Sequence, residues 1–233
     1  MKAKLLGLIE LGRQKEAEVF VPRVDDSAPA APGRWTAKDT VAHLFAWRQV
    51  AAGELDSVRT GSPAPGVADD DDIQNAEFYA RTHDEPARSI LESAARSWDA
   101  LAAAVNACSE EQLQAPRPKH PELKVWQVVP ENAIDHMADH LGYWYAERGD
   151  AVSEEKAAMW RYDVETAAFT EDRRRGVEEY VLSRFYAGKG RLEEASNRLE
   201  RALALRPDLR EWAKQDPELG PVRSQPGVAK LIG

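Results

Sequence analysis

The stretch NAIDHMADHLGYWYAERGD, Asn132–Asp150, reads as an amphipathic helix that carries His136 and His140 four residues apart. An α-helix advances by about 100° per residue, so the two imidazoles stand about 40° apart on one face. Met137, Leu141, Trp144 and Ile134 form an apolar sector roughly 90° round from them. The histidines therefore lie at the edge of the buried stripe, where a bundle of helices can open a cleft. This helix starts at Pro130 or a few residues earlier and stops at Gly149.

Two imidazoles at this spacing can converge on one divalent metal, or each can hydrogen-bond a carbonyl inside a core. Two ligands do not complete a site. His43, in TVAHLFAWRQV, is the candidate third, because it shares a helix face with Trp47 and Val50. Of the five histidines the remaining two, His83 and His120, fall in expected loops. Three protein ligands would leave a coordination position for water or substrate, as catalytic metal sites do.

Working outward, helical periodicity recurs and strand alternation is nearly absent. A first helix spans Lys2 to Phe20, with Leu5, Leu8, Ile9, Gly12, Glu16 and Val19 on one weak stripe. A Pro/Ala loop, DDSAPAAPGR, separates it from a second helix that opens at WTAKDT, where Thr36 and Asp39 have capping-box spacing. The second helix ends near Arg59 at TGSPAPG. IQNAEFYARTHDEP reads as a short helix or an ordered crossover. A third long helix begins near Pro86, with Leu91, Ala94, Trp98, Leu101 and Val105 at helical spacing. These three, with the histidine-bearing helix, make an all-α four-helix bundle with long crossovers over residues 1–150.

The character changes at Ser153, where a new helix starts. The segment 153–233 contains Tyr186, Gly190, Leu192, Glu194, Ala195, Ala202, Leu203 and Pro207 in a pattern that resembles one tetratricopeptide repeat of about 34 residues. One such helix pair cannot bury its own apolar face. The expectation is that it packs on the bundle or on a second copy of the chain, as a homodimer.

Bulk properties exclude several classes. The 233 residues suffice for one or two domains, and 43% hydrophobic with 30% charged is globular composition. A net charge of −9 argues against nucleic acid, and the Arg173–Arg174–Arg175 run is hemmed in by acids. Cys108 is the single cysteine, so no disulfide framework exists, and it sits at the end of an alanine-rich helix as a small buried side chain. The opening MKAKLLGLIELGRQKEAE lacks a signal-peptide core, and no window approaches the ~20 apolar residues of a membrane helix. A soluble, cytoplasmic protein is expected.

WTAKDTVAHLFAWR, NAEFYARTHDEPARSILESAARSWDALAAAV and ENAIDHMADHLGYW, in that order, resemble the second, third and fourth helices of DinB-like four-helix bundles, the last being similar to the ClbS/DfsB branch. The resemblance covers residues 1–150 and implies an antiparallel bundle. Many of those relatives bind zinc or nickel through three histidines, one on the second helix and a pair on the fourth, which here are His43, His136 and His140. The ClbS/DfsB branch opens a strained ring with water, with no clear need for metal. This chain departs from that branch in carrying Met137 and Asp139 where Tyr and Glu are common.

Three functions follow as expectations. The first is a metal-dependent small-molecule enzyme, either a hydrolase or, as in relatives that use low-molecular-weight thiols, a transferase. Its base would be Glu147, which points with the histidines, whereas Asp135 and Asp139 turn away by ~80° or more. The second is a metal-independent hydrolase or non-catalytic resistance protein that binds an apolar molecule against Trp47, Tyr143 and Trp144. The third is a protein-interaction module built on the repeat-like tail.

Overall fold

A computed structural model of the chain describes residues 1–25, 29, 31, 33–223 and 225–232. The Pro/Ala loop before the second helix falls in part outside them. Among the described residues all regular structure is helical, apart from a single isolated bridge between Pro116 and Lys124. The chain divides into two compact units, Met1–Ala151 and Val152–Gly233.

The first unit is an antiparallel four-helix bundle of the expected class. Its helices are α1 (Lys2–Val19), α2 (Ala37–Thr60), α3 (Asp71–Thr82), α4 (Ala87–Ala107) and α5 (His136–Ala146). α3 occupies the crossover between α2 and α4. The α1 stripe is buried as read, Glu16 included. On α4 the buried stripe begins at Ile90; Leu91 is only half-buried. α2 starts at a reciprocal capping box: the Thr36 hydroxyl accepts from the Asp39 N–H, and the Asp39 carboxylate accepts from the Thr36 N–H at 3.0 Å. It ends at Gly61 in the left-handed conformation, φ +73°. Cys108 caps α4 and is fully buried.

The fourth bundle helix is not one regular rod. A 3₁₀ turn, Val125–Gln127, and one α-turn, Val128–Pro130, lead into a π-helical segment, Glu131–Asp135, before α5 begins at His136. Pro130 has no N–H to give the ladder. The Asn132 side-chain amide donates to the Val128 carbonyl at 2.8 Å, and that carbonyl also accepts from the Glu131 N–H. Gly12 of α1 faces this segment: a Cβ there would lie 2.2 Å from the Ala133 carbonyl oxygen and 2.8 Å from Trp98 Cη2. The glycine lets α1 approach the widened backbone, which in turn sets the angle at which His136 and His140 face α2.

The second unit contains α6 (Ala151–Ala168, whose first residue closes the first unit), α7 (Asp172–Gly188) and α8 (Leu192–Leu205), followed by short helices at Arg210–Gln215, Gly220–Arg223 and Pro226–Ile232. α7 and α8 pack on each other as a helix pair. They share one apolar cluster with the short helices, in which Tyr180, Leu199 and Leu203 meet Val222, Val228 and Ile232, with Phe185 at its margin. The C-terminal segment thus supplies the hairpin with a partner within the same unit. Glu165, fully buried, is held by Arg174 at 2.5 Å, and Glu178 by Arg161 at 3.0 Å.

Candidate metal centre

The bundle brings the three predicted histidines to one point. His43 Nε2 lies 2.8 Å from His136 Nε2, and His140 Nε2 lies 3.1 Å from the same atom. The ring centroids form a near-equilateral triangle of 4.7, 4.7 and 4.8 Å. His43 is supplied by the second turn of α2, and the pair by the first two turns of α5. His43 is buried and the others half-buried.

As three neutral imidazoles this arrangement does not satisfy itself. His136 Nε2 carries one lone pair, or one proton, yet two other ring nitrogens press on it within hydrogen-bond distance. Protonation does not resolve the conflict. Burial and then the neighbouring His140 hold His43 at about 3, and burial holds His140 at about 4. Burial, followed by His140, His43 and Arg48, pushes His136 far below its ordinary value. Three convergent, uncharged Nε2 atoms are a donor set for a cation other than a proton. A tetrahedral metal with Zn–N bonds of 2.0–2.1 Å sets its ligand nitrogens about 3.3 Å apart, close to the 2.8 and 3.1 Å found. His43 Nδ1 is buried with no hydrogen-bond partner among the described residues, so its tautomer is not fixed by a neighbour.

These values carry a pH consequence. Folding holds the three rings below the ordinary 6.5, so between pH 6.5 and about 4 the unfolded chain takes up protons that the folded trio refuses. Metal-free protein is expected to be at full stability above about pH 6.5. It should lose up to about 1.4 kcal/mol per pH unit for each such ring as the pH falls toward the folded values. Urea midpoints at pH 7.5, 6 and 5 measure the slope, and His140→Phe should make it shallower.

The trio lies between two cavities that have no lining residue in common. A cleft of about 340 Å³ on one side is lined by His140, Tyr143, Trp144, Glu147, Trp35 and Thr40, with Arg34 at its rim. Tyr143 is 63% exposed and stands edge-on to His140, centroids 5.7 Å apart. Trp144 packs edge-on against Phe20 at 5.6 Å and is buried, so it serves the core as much as the cleft. Glu147 shares this cleft with His140 and lies 3.5 Å from Arg34 Nη1. Asp139 is exposed, and neither it nor Asp135 lines either cavity. The second cavity, about 610 Å³, is lined by His136 and Trp47. The three aromatic residues singled out in the sequence are thus divided between the two sides.

Several residues at the centre are not apparent from spacing. Trp35 stacks on His140 (5.8 Å, interplanar angle 7°) and leans on His43 at 4.8 Å, covering the trio from the loop before α2. It also stacks on Tyr79 of α3 at 6.3 Å. His83, expected in a loop, caps α3 and places Nδ1 3.3 Å from Asp39 Oδ1. Behind the trio, Arg48 is fully buried: Nη1 is 2.9 Å from Glu16 Oε2, Nε donates to Ser97 Oγ at 2.9 Å, and Cζ lies 3.9 Å from the Trp98 ring centre. Glu16 Oε1 accepts from Trp98 Nε1 at 2.8 Å. This network joins α1, α2 and α4 one turn beyond His43. A charged residue on the α1 stripe was its only trace in the sequence.

A family model described as the DinB superfamily matches residues 11–147, a span that contains all three histidines and both cavities' helices. No curated protein and no solved structure matches the chain.

Proposed function

Because the chain belongs to the DinB superfamily, a superfamily whose members often bind metal, we propose that it is a metal-dependent small-molecule enzyme, a hydrolase or a low-molecular-weight-thiol-dependent transferase. The observation that carries this reading is the convergence of His43, His136 and His140, whose ligand atoms all lie within 4.8 Å of one another. Bound there, zinc or nickel would supply Lewis-acid activation of an oxygen or sulfur nucleophile. The chain's own groups would do the rest. Trp35 shields the imidazoles from water on the side where it stacks. Glu147, in the cleft beside His140, would accept a proton at its carboxylate and return it to a leaving group. Arg34 Nη1 lies 3.5 Å from that carboxylate.

The test is elemental analysis of full-length protein purified without a histidine tag. The reading requires close to one zinc or nickel per chain. Metal-free protein that refuses both ions on titration would overturn it and favour a metal-independent hydrolase or a binding protein built on the same cavities. No helix among the described residues is long and apolar enough to cross a membrane.

A further inference from the structure

The cavity on the His136 side has a chemical preference written into its lining. It is the larger of the two beside the trio, about 610 Å³, a volume that holds a small organic molecule. Its inner polar groups are Glu54, Arg117, Glu131 and Asn132. Two carboxylates there share one guanidinium. Arg117 donates to both Glu54 oxygens, at 2.8 and 3.2 Å, and to Glu131 Oε2 at 2.6 Å. Arg117 and Glu54 are nearly buried, at 12% and 10% side-chain exposure, and Glu131 is partly exposed, at 37%.

Lys119 Nζ donates to the Val67 carbonyl at 3.0 Å, and the Asn132 amide gives one N–H to Val128. With the mouth included, carboxylates in the lining outnumber the cations Arg117 and Lys119 four to two, and Asn132 Oδ1 adds an acceptor. Two further carboxylates, Asp69 and Asp71, stand at the mouth with no ion-pair partner among the described residues.

An aromatic face completes the lining. Trp47 is fixed by its Nε1–H on Asn75 Oδ1 at 3.0 Å and by edge-on packing against Phe78 at 5.4 Å. Its ring centre lies 6.4 Å from that of His136. A rigid indole beside excess carboxylate attracts organic cations through its quadrupole and through charge-assisted N–H donation.

We infer that this cavity binds a protonated amine carried on an apolar body, with the body against Trp47 and the ammonium on the Glu54–Glu131 pair, next to His136. That the amine belongs to a substrate rests on the metal-enzyme reading above. The binding preference does not.

Calorimetric titration of the full-length protein at pH 7 with 2-phenylethylammonium, 2-phenylethanol and phenylacetate compares one ring with three charges. The ammonium should bind at least about tenfold more tightly than the carboxylate. Glu131→Gln leaves Arg117 paired one-to-one with Glu54, and should weaken the ammonium about five- to tenfold without weakening the anion. Trp47→Leu should weaken it about threefold or more, and Trp47→Phe less. Circular dichroism verifies that each variant is folded. Equal or tighter binding of phenylacetate, no binding of any probe, or a preference that survives both Glu131→Gln and Trp47→Leu overturns the inference. Metal content is recorded in the same samples. Metal-free protein that prefers the ammonium sinks the enzyme reading alone, and metal-loaded protein without the preference sinks the cavity assignment alone.

Discussion

His136→Ala is expected to strip the protein of its metal. His136 is the hub of the trio, with both other Nε2 atoms within 3.1 Å of its own. Its loss leaves His43 and His140 as a two-ligand remnant. Removal of a mere supporting group around a metal costs 10–100-fold in affinity, and removal of a central ligand should exceed about 100-fold. Elemental analysis of wild type and variant, purified side by side without a tag, should show near-stoichiometric metal in the first and background in the second. Circular dichroism verifies that the variant is folded. It should even gain stability below pH 6.5, where one buried ring fewer resists protonation. Equal metal in both proteins would place the ion elsewhere.

The largest effect on stability is expected at Glu16. Glu16→Ala leaves Arg48, fully buried, without its counter-charge and Trp98 Nε1 without an acceptor. Breaking a buried ion pair on one side costs about 3–5 kcal/mol. For a protein of this size that corresponds to a fall in melting temperature of about 10 °C. The double variant Glu16→Leu, Arg48→Met should lose much less than Glu16→Ala alone, since neither charge is then stranded. Denaturant melts of the three proteins decide the matter. A double variant as damaged as Glu16→Ala would show that the loss does not come from the stranded charge.

The bundle was legible because it is built from periodicity. The α1 stripe, the capping box at Thr36 and the apolar sector of α5 are all local patterns, and all are buried or bonded as read. On α4 the buried stripe starts at Ile90 rather than Leu91, a one-residue shift that neighbouring apolar residues allow. The π-helical segment was not legible. A Pro–Glu–Asn run is compatible with a helix start, and only the contact with Gly12 reveals why the backbone widens there. The three histidines could be named from spacing and resemblance. The tryptophan that covers them could not, because Trp35 acts from a loop across the sequence-distant α5. Glu16 and Arg48 looked like ordinary charges, and their pairing needs three helices to be in place. The hairpin of α7 and α8 was readable as a pair with an exposed apolar face. Its cover lay in the proline-rich segment beyond, where short helices leave little periodic trace.

The widened turn at Glu131–Asp135 has a genetic corollary. A π segment is an α-helix with one residue too many. The surplus residue is taken up in the wide turn, so losing a single codon there would let the rod relax to regular pitch with His136 and His140 still turned toward His43. Losing one codon between the two histidines instead would break their four-residue spacing and turn one ring away by about 100°. The turn is thus a place where chain length can vary without erasing the centre. A one-residue deletion within 131–135 should keep bound zinc, and one within 137–139 should lose it.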